Sequence, residues 1–127
     1  MDVPDGLLYT EEHEWLRVED GEGVVGITAY AAGELGDVVF VELPKVGAAL
    51  QRAQTFGVIE SVKTASDLYA PVGGEVIAVN EDLSSRPELV NDDPYGDGWM
   101  VRLRLEDAGQ VDGLRDAAAY REMIQAG

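Results

Sequence analysis

Between Thr55 and Asn80 short apolar, largely β-branched runs alternate with polar punctuation. Phe56, Val58, Ile59 and Val62 precede a lysine; Leu68, Tyr69, Val72, Val76, Ile77 and Val79 follow it, with Pro71 and Gly73-Gly74 between them. The pattern predicts strand, tight bend, strand, turn, strand, with a hairpin over about 55–72 and Lys63 at its bend. Val62-Lys63-Thr64-Ala65 has no Gly, Asn or Asp at its centre, so the two-residue turns with positive φ are not signalled. A type I turn, or a looser loop reaching Ser66 and Asp67, fits better.

The same reading covers the rest of the chain. After an irregular lead-in with an extended piece at Leu7-Leu8-Tyr9, Trp15 to Val18 alternates as a strand, and Asp20-Gly21 turns it into Val24 to Ile27. Thr28 caps a short helix from Ala29 to Leu35, stopped by Gly36. Val38 to Leu43 is a strand ended by Pro44, and Ala48 to Gln51 is a short one. Pro87 to Val90 reads as one helical turn, Asn91 to Gly98 as a loop and Trp99 to Leu105 as a strand. The period then becomes helical: Asp116 caps Ala117 to Gln125, a C-terminal helix over about 116–126. Gly36 to Val41 and Gly74 to Val79 share a glycine, an acid and an apolar run, a hint of quasi-twofold architecture. The sum is a mainly β fold, a sandwich or barrel with short helices, in a single domain over 1–127.

Composition narrows the functions. The formal net charge is −16, which disfavours nucleic acid and anionic lipid as partners and favours basic protein faces. Hydrophobic residues make up 46%, enough to build a core, so the acidity does not signal disorder. There is no cysteine, hence no disulfide, thiolate metal site or cysteine nucleophile. The start has no apolar targeting segment and no run approaches a membrane span, so the expected location is cytoplasmic, or mitochondrial if a transit peptide has been removed.

Candidate chemistry is sparse. Gly21 to Gly26 has the letters of a dinucleotide fingerprint but opens a strand, with no helix N-terminus to receive a pyrophosphate. The acidic loop 91–98 lacks calcium-ligand spacing, and no metal site is expected. His13, the only histidine, has no serine or threonine evidently paired with it, so no catalytic constellation is visible. Lys63 stands out because Lys45 is the only other lysine and the remaining cations are arginine. A modification site and a plain solvated charge both suit it.

The ordered blocks His13-Glu14-Trp15, Val25 to Thr28, Leu35 to Pro44, Phe56 to Lys63, Ser66 to Tyr69, Gly74-Glu75-Val76, Leu89-Val90-Asn91 and Pro94 to Trp99 resemble the H proteins of the glycine cleavage system. The resemblance covers nearly the whole chain. It implies a barrel-sandwich hybrid related to lipoyl and biotinyl carriers, with lipoic acid on Lys63 as N6-lipoyllysine. Stem and arm span roughly ten bonds, a reach on the order of 10 Å. By the same resemblance the chain is a carrier and not an enzyme. It takes an aminomethyl group of glycine from glycine decarboxylase (P protein) to aminomethyltransferase (T protein), and electrons to dihydrolipoyl dehydrogenase (L protein). Glu60, Val62 and Thr64 would be read by a lipoate ligase or lipoyl/octanoyl transferase. Glu14 and Asp67 match a cleft sheltering the loaded arm, with Glu12 where a serine can occur in the family.

Three other functions compete. An H-like relay donating lipoyl groups to other lipoyl proteins would keep Glu60 and Lys63 without needing the cleft. A biotinyl carrier is disfavoured because Val62 and Thr64, not methionines, flank Lys63. A small hydrolase lacks a visible nucleophile and base.

Overall fold

In the computed structural model, which describes residues 2–126, Asp20 and Gly21 take positive φ values of 49° and 79° and join β2 (Glu14–Glu19) to β3 (Glu22–Ile27). That backbone geometry matches the twist of paired strands, which is why Asp-Gly suits the turn. β1 (Leu8–Tyr9) lies beside β2, while β9 (Val101–Leu105), β8 (Gly74–Val79) and β5 (Ala49–Leu50) continue from β3. These six form one antiparallel sheet, in the order β1-β2-β3-β9-β8-β5. A second antiparallel sheet holds β4 (Val38–Glu42), β6 (Thr55–Ser61) and β7 (Ala65–Tyr69) in the order β4-β6-β7. The helices are α1 (Ala29–Leu35), α2 (Asp82–Ser85), α3 (Leu89–Asp92) and α4 (Ala117–Ala126), with a 3-10 turn over Ala108–Gly113. The mainly β expectation holds, and the two echoed segments open β4 and β8, one in each sheet.

Alternation along β2 and β3 supplies two cores. Leu16 and its cross-strand partner Val25 join Ile59, Leu68, Val76 and Leu103, drawing both sheets onto one apolar interior. Trp15 and Val24 point the other way, to Tyr9, Ala117 and Tyr120 under α4. β3 is therefore apolar on both faces. Gly26 faces Trp15 across the pair, and a Cβ there would lie 2.7 Å from the indole, so only glycine lets that ring lie down. Tyr9 stacks on Tyr120 with centroids 4.6 Å apart. Burying such side chains is worth about 1.5–3 kcal/mol each, which holds a ten-residue helix too short to be stable alone.

The helix signals are met in part. Thr28 Oγ1 accepts from Ala31 N at 3.2 Å, Gly36 ends α1 at φ 77°, and Asp116 Oδ1 accepts from Ala119 N at 2.9 Å. The turn after Pro87 is regular only from Leu89 to Asp92, so the expected loop begins at Asp93. The last strand starts at Val101, not Trp99, because Trp99 N is still bonded to Gly96 O in the preceding turn. The sequence reading missed α2 and the 3-10 turn, both too short to show a period.

Asn91 ties these elements to the lysine hairpin. Its side chain accepts from Val38 N at 2.9 Å and donates to Gly36 O at 2.8 Å, and the intervening Asp37 O accepts from Val62 N at 3.0 Å. Replacing Asn91 with Ala orphans a donor and an acceptor, so we expect a loss of about 1–3 kcal/mol in urea unfolding, with faster amide exchange at Val62. Unchanged exchange at Val62 would show that the hairpin does not depend on this clamp.

Candidate functional site

Lys63 occupies the tip of the β6–β7 hairpin. Ser61 N donates to Thr64 O at 2.8 Å, and the Ser61 hydroxyl oxygen accepts from Thr64 N at 3.2 Å and Lys63 N at 3.3 Å. Neither Val62 nor Lys63 has positive φ, in keeping with a turn that lacks Gly, Asn and Asp. Ser61, buried at the base of the bend, does what such residues do elsewhere: its side chain satisfies backbone donors the turn leaves free. The sequence reading overlooked it, although a serine two residues before the lysine was the available signal.

The Lys63 side chain is exposed, and a Cβ added to Gly36 would sit 3.6 Å from its Cε. The stem therefore lies over the end of α1, within ordinary contact distance of Gly36. Among the described residues all six ion pairs use arginine, so neither lysine is engaged in one. Around Lys63, Val62 is 71% exposed, and Glu60 and Thr64 face solvent.

Next to Gly36 opens a cleft of about 330 Å³ between α1, the β2 entrance and β7. Its apolar side includes Ile27, Ala31, Leu35, Ile59 and Leu68; its polar side includes Glu12, Glu14, Glu34 and Asp67. The structure brings Glu12, Glu14 and Asp67 to one cavity from two segments distant in sequence. Asp67 is the third residue of β7, four beyond Lys63 in the bend, so at most roughly 13 Å at strand rise and comparable with the arm expected on that lysine. Tyr30, Glu34 and Leu35 were not anticipated; the Thr28 cap was the usable clue, since it fixes which face of α1 they share.

Glu14 is the unusual member. It is 2% exposed, with Oε1 accepting from Thr10 Oγ1 at 2.5 Å and Oε2 from Tyr69 N at 3.2 Å. Burial pushes its carboxyl up to about 7 from an ordinary 4.5, against the pull of those two hydrogen bonds. A larger cleft of about 510 Å³ shares Glu12 and Glu14 but runs to Arg52 and Arg115, away from α1. His13, at φ 70°, turns its ring to α4: Nδ1 lies 2.7 Å from the Tyr120 hydroxyl, itself 2.8 Å from Thr28 Oγ1. Burial lowers the His13 pKa, opposed by Glu12 and Glu34, and its ring nitrogen is taken up by the Tyr120 hydroxyl under α4.

An exposed, unpaired amine on a braced hairpin, a short reach from an apolar cleft with carboxylates, is the layout of a carrier for a small cationic cargo. The comparisons agree. Residues 7–127 match the family model described as Glycine cleavage H-protein. The glycine cleavage system H protein of Bacillus cereus (strain B4264) is 58% identical over 123 residues, spanning 97% of each chain. That of Magnetococcus marinus is 58% identical over 125 residues, 98% of this chain and 89% of the relative. A crystal structure of a glycine cleavage system H protein from Mycobacterium marinum superimposes with a TM-score of 0.90 at 36% identity, covering 97% of this chain and 99% of that one. The chain belongs to the glycine cleavage H-protein family, whose members are non-catalytic lipoyl carriers.

Proposed function

We propose that Lys63 is the lipoyl attachment point and that the cleft beside α1 receives the far end of the arm. As a family member the chain shuttles the aminomethyl group of glycine from glycine decarboxylase to aminomethyltransferase and electrons to dihydrolipoyl dehydrogenase. The observation that carries the assignment is the setting of Lys63: exposed at a braced hairpin tip, outside the ion pairs of the described residues, with its Cε over Gly36 at the end of α1. The residues fit the group. A neutral hydrocarbon arm suits the Ile27, Ala31 and Leu35 side of the cleft, and a cationic amine at its end suits Glu12, Glu14 and Asp67. When bound, the lipoyl group supplies the reversible dithiol and disulfide chemistry that a chain without cysteine lacks. Glu60, Val62 and Thr64, exposed around the bend, are the residues we assign to recognition by the lipoate ligase or the lipoyl/octanoyl transferase.

Each carboxylate acts by position. Glu14, nearly out of water, attracts a cationic amine more strongly than an exposed acid would, because the local dielectric is low. The approaching cation in turn favours ionised Glu14. Thr10 and Tyr69 hold its oxygens in place, while Asp67 and Glu12 stand at the water-facing side and are screened.

Lys63→Arg keeps the charge and the fold but removes the acylatable amine, so we expect an unchanged melting temperature and complete loss of lipoyl mass addition and of carrier activity in a reconstituted system. Carrier activity surviving in Lys63→Arg would overturn the assignment. Glu14 gives a second test, through pH. Its folded pKa lies above its unfolded one, so its contribution to stability is fully present below about 4.5 and is lost as pH rises through about 7. The change amounts to something on the order of 3 kcal/mol. In urea unfolding at pH 5 and pH 8, wild type should therefore lose more stability over that window than Glu14→Gln. Equal losses would mean that Glu14 is ionised in the fold throughout.

A further inference from the structure

Strand β4 breaks its own alternation. In Val38-Val39-Phe40-Val41-Glu42, strict period two would put Phe40 on the inward face with Val38. Instead the register with β6 shifts between Val38↔Ser61 and Phe40↔Glu60. This β-bulge leaves Val38 and Val41 buried at 4% and 6%, and turns Val39 and Phe40 outward at 53% and 47% exposure. Val62, at 71%, is bonded through its amide to Asp37 immediately before β4. Three of the five large hydrophobics exposed on the described chain therefore lie on the hairpin that carries Lys63 or on the strand paired with it. Asp37, Glu42 and Glu60 lie exposed among them, and none takes part in the six ion pairs.

We propose that Val39, Phe40 and Val62 form an apolar docking collar for the enzyme that attaches the lipoyl group, whose complementary face is an apolar recess bordered by basic side chains. The inference rests on the assignment of Lys63 above. Geometry chooses this occupant over the enzymes served by the finished arm. The bare lysine stem has five bonds from Cα to Nζ and reaches only about 6 Å, so the attaching enzyme must close onto the hairpin itself. The enzymes served by the finished arm can work at a distance on the order of 10 Å. In the attachment step Nζ bonds to the acyl carbon of an activated lipoyl donor. The donor's acyl–oxygen or acyl–sulfur bond breaks with its electron pair on the leaving group, and the ammonium gives up two protons.

Lys45 is an internal control. It too has a glutamate three residues before it, Glu42, as Lys63 has Glu60, and it too adjoins an exposed valine, Val46 at 61%. The glutamate spacing alone cannot select between them. What Lys45 lacks is the hairpin and a phenylalanine held outward across the strand pair from that glutamate.

The test uses the full-length unlipoylated chain with lipoate ligase, ATP and lipoate, following intact mass and mapping the modified peptide. Phe40→Ser should lower kcat/KM for attachment about tenfold, mainly through KM, the size of a modest interface hot spot. Phe40→Leu should recover most of it, and both melting temperatures should stay at wild type. Once fully lipoylated, Phe40→Ser should be reduced by dihydrolipoyl dehydrogenase within about twofold of the wild-type rate, since that enzyme meets the arm. Attachment at the wild-type rate in Phe40→Ser, or an equal loss at the dehydrogenase, would overturn the collar. A wild-type chain left unmodified at Lys63 by active ligase would instead remove the underlying assignment.

Discussion

The hydrogen bond from Val62 N to Asp37 O, 3.0 Å long, is what lets an exposed lysine be a defined one. A hairpin tip projecting from a three-stranded sheet would fray, since its end residues bury little and its donors can turn to water. Here the tip is fastened sideways to the segment between α1 and β4, and Asn91 grips that segment on either side of the accepting carbonyl. The brace runs from α3 through residues 36–38 to the bend. Because the same segment continues from Leu35, which lines the cleft, the lysine and its cleft are positioned by one piece of chain. Gly36 serves both ends of this arrangement. It takes the positive φ that ends α1, and the lysine stem passes over it at contact distance.

Glu14 shows the opposite economy. A carboxyl 2% exposed and displaced to about 7 destabilises the fold at neutral pH, and two hydrogen bonds offset only part of that. Around it the buried polar groups are otherwise satisfied: no buried side-chain nitrogen or oxygen of the described residues lacks a partner. A strained group in a satisfied interior marks a site where binding, not folding, sets the residue. Its neighbours fit that view, since Thr10 and Tyr69 orient the oxygens without neutralising them.

What could be read from the chain divides by range. Local chemistry was legible: Asp20-Gly21 for a turn needing two positive φ values, Thr28 and Asp116 as caps, Lys63 between two apolar runs. Features that depend on a partner strand or a distant side chain were not. The bulge at Val39 leaves no mark in Val-Val-Phe-Val, because each residue suits either face of a strand; only pairing with β6 reveals which one is displaced. Asn91 lies in a stretch that reads as the start of a polar loop, yet its amide spans two main-chain groups more than fifty residues away. Likewise, the carboxylates of the cleft could be matched to a family site but not to one another, since in a chain with 25 acidic residues their convergence is decided by tertiary packing.

The division of labour between the two cations follows from their chemistry. Arginine forms every ion pair found among the described residues, including the two from Arg102 to Glu19 and Glu22 that link β9 across the sheet. Its guanidinium stays charged and resists acylation, so those contacts are safe from an enzyme that modifies amines. Lysine is left outside the framework. Acylating Lys63 deletes one positive charge and moves the formal net charge from −16 to −17, without breaking an ion pair or leaving a carboxylate orphaned. The lipoylation proposed at Lys63 would then leave the ion pairs of the described residues intact.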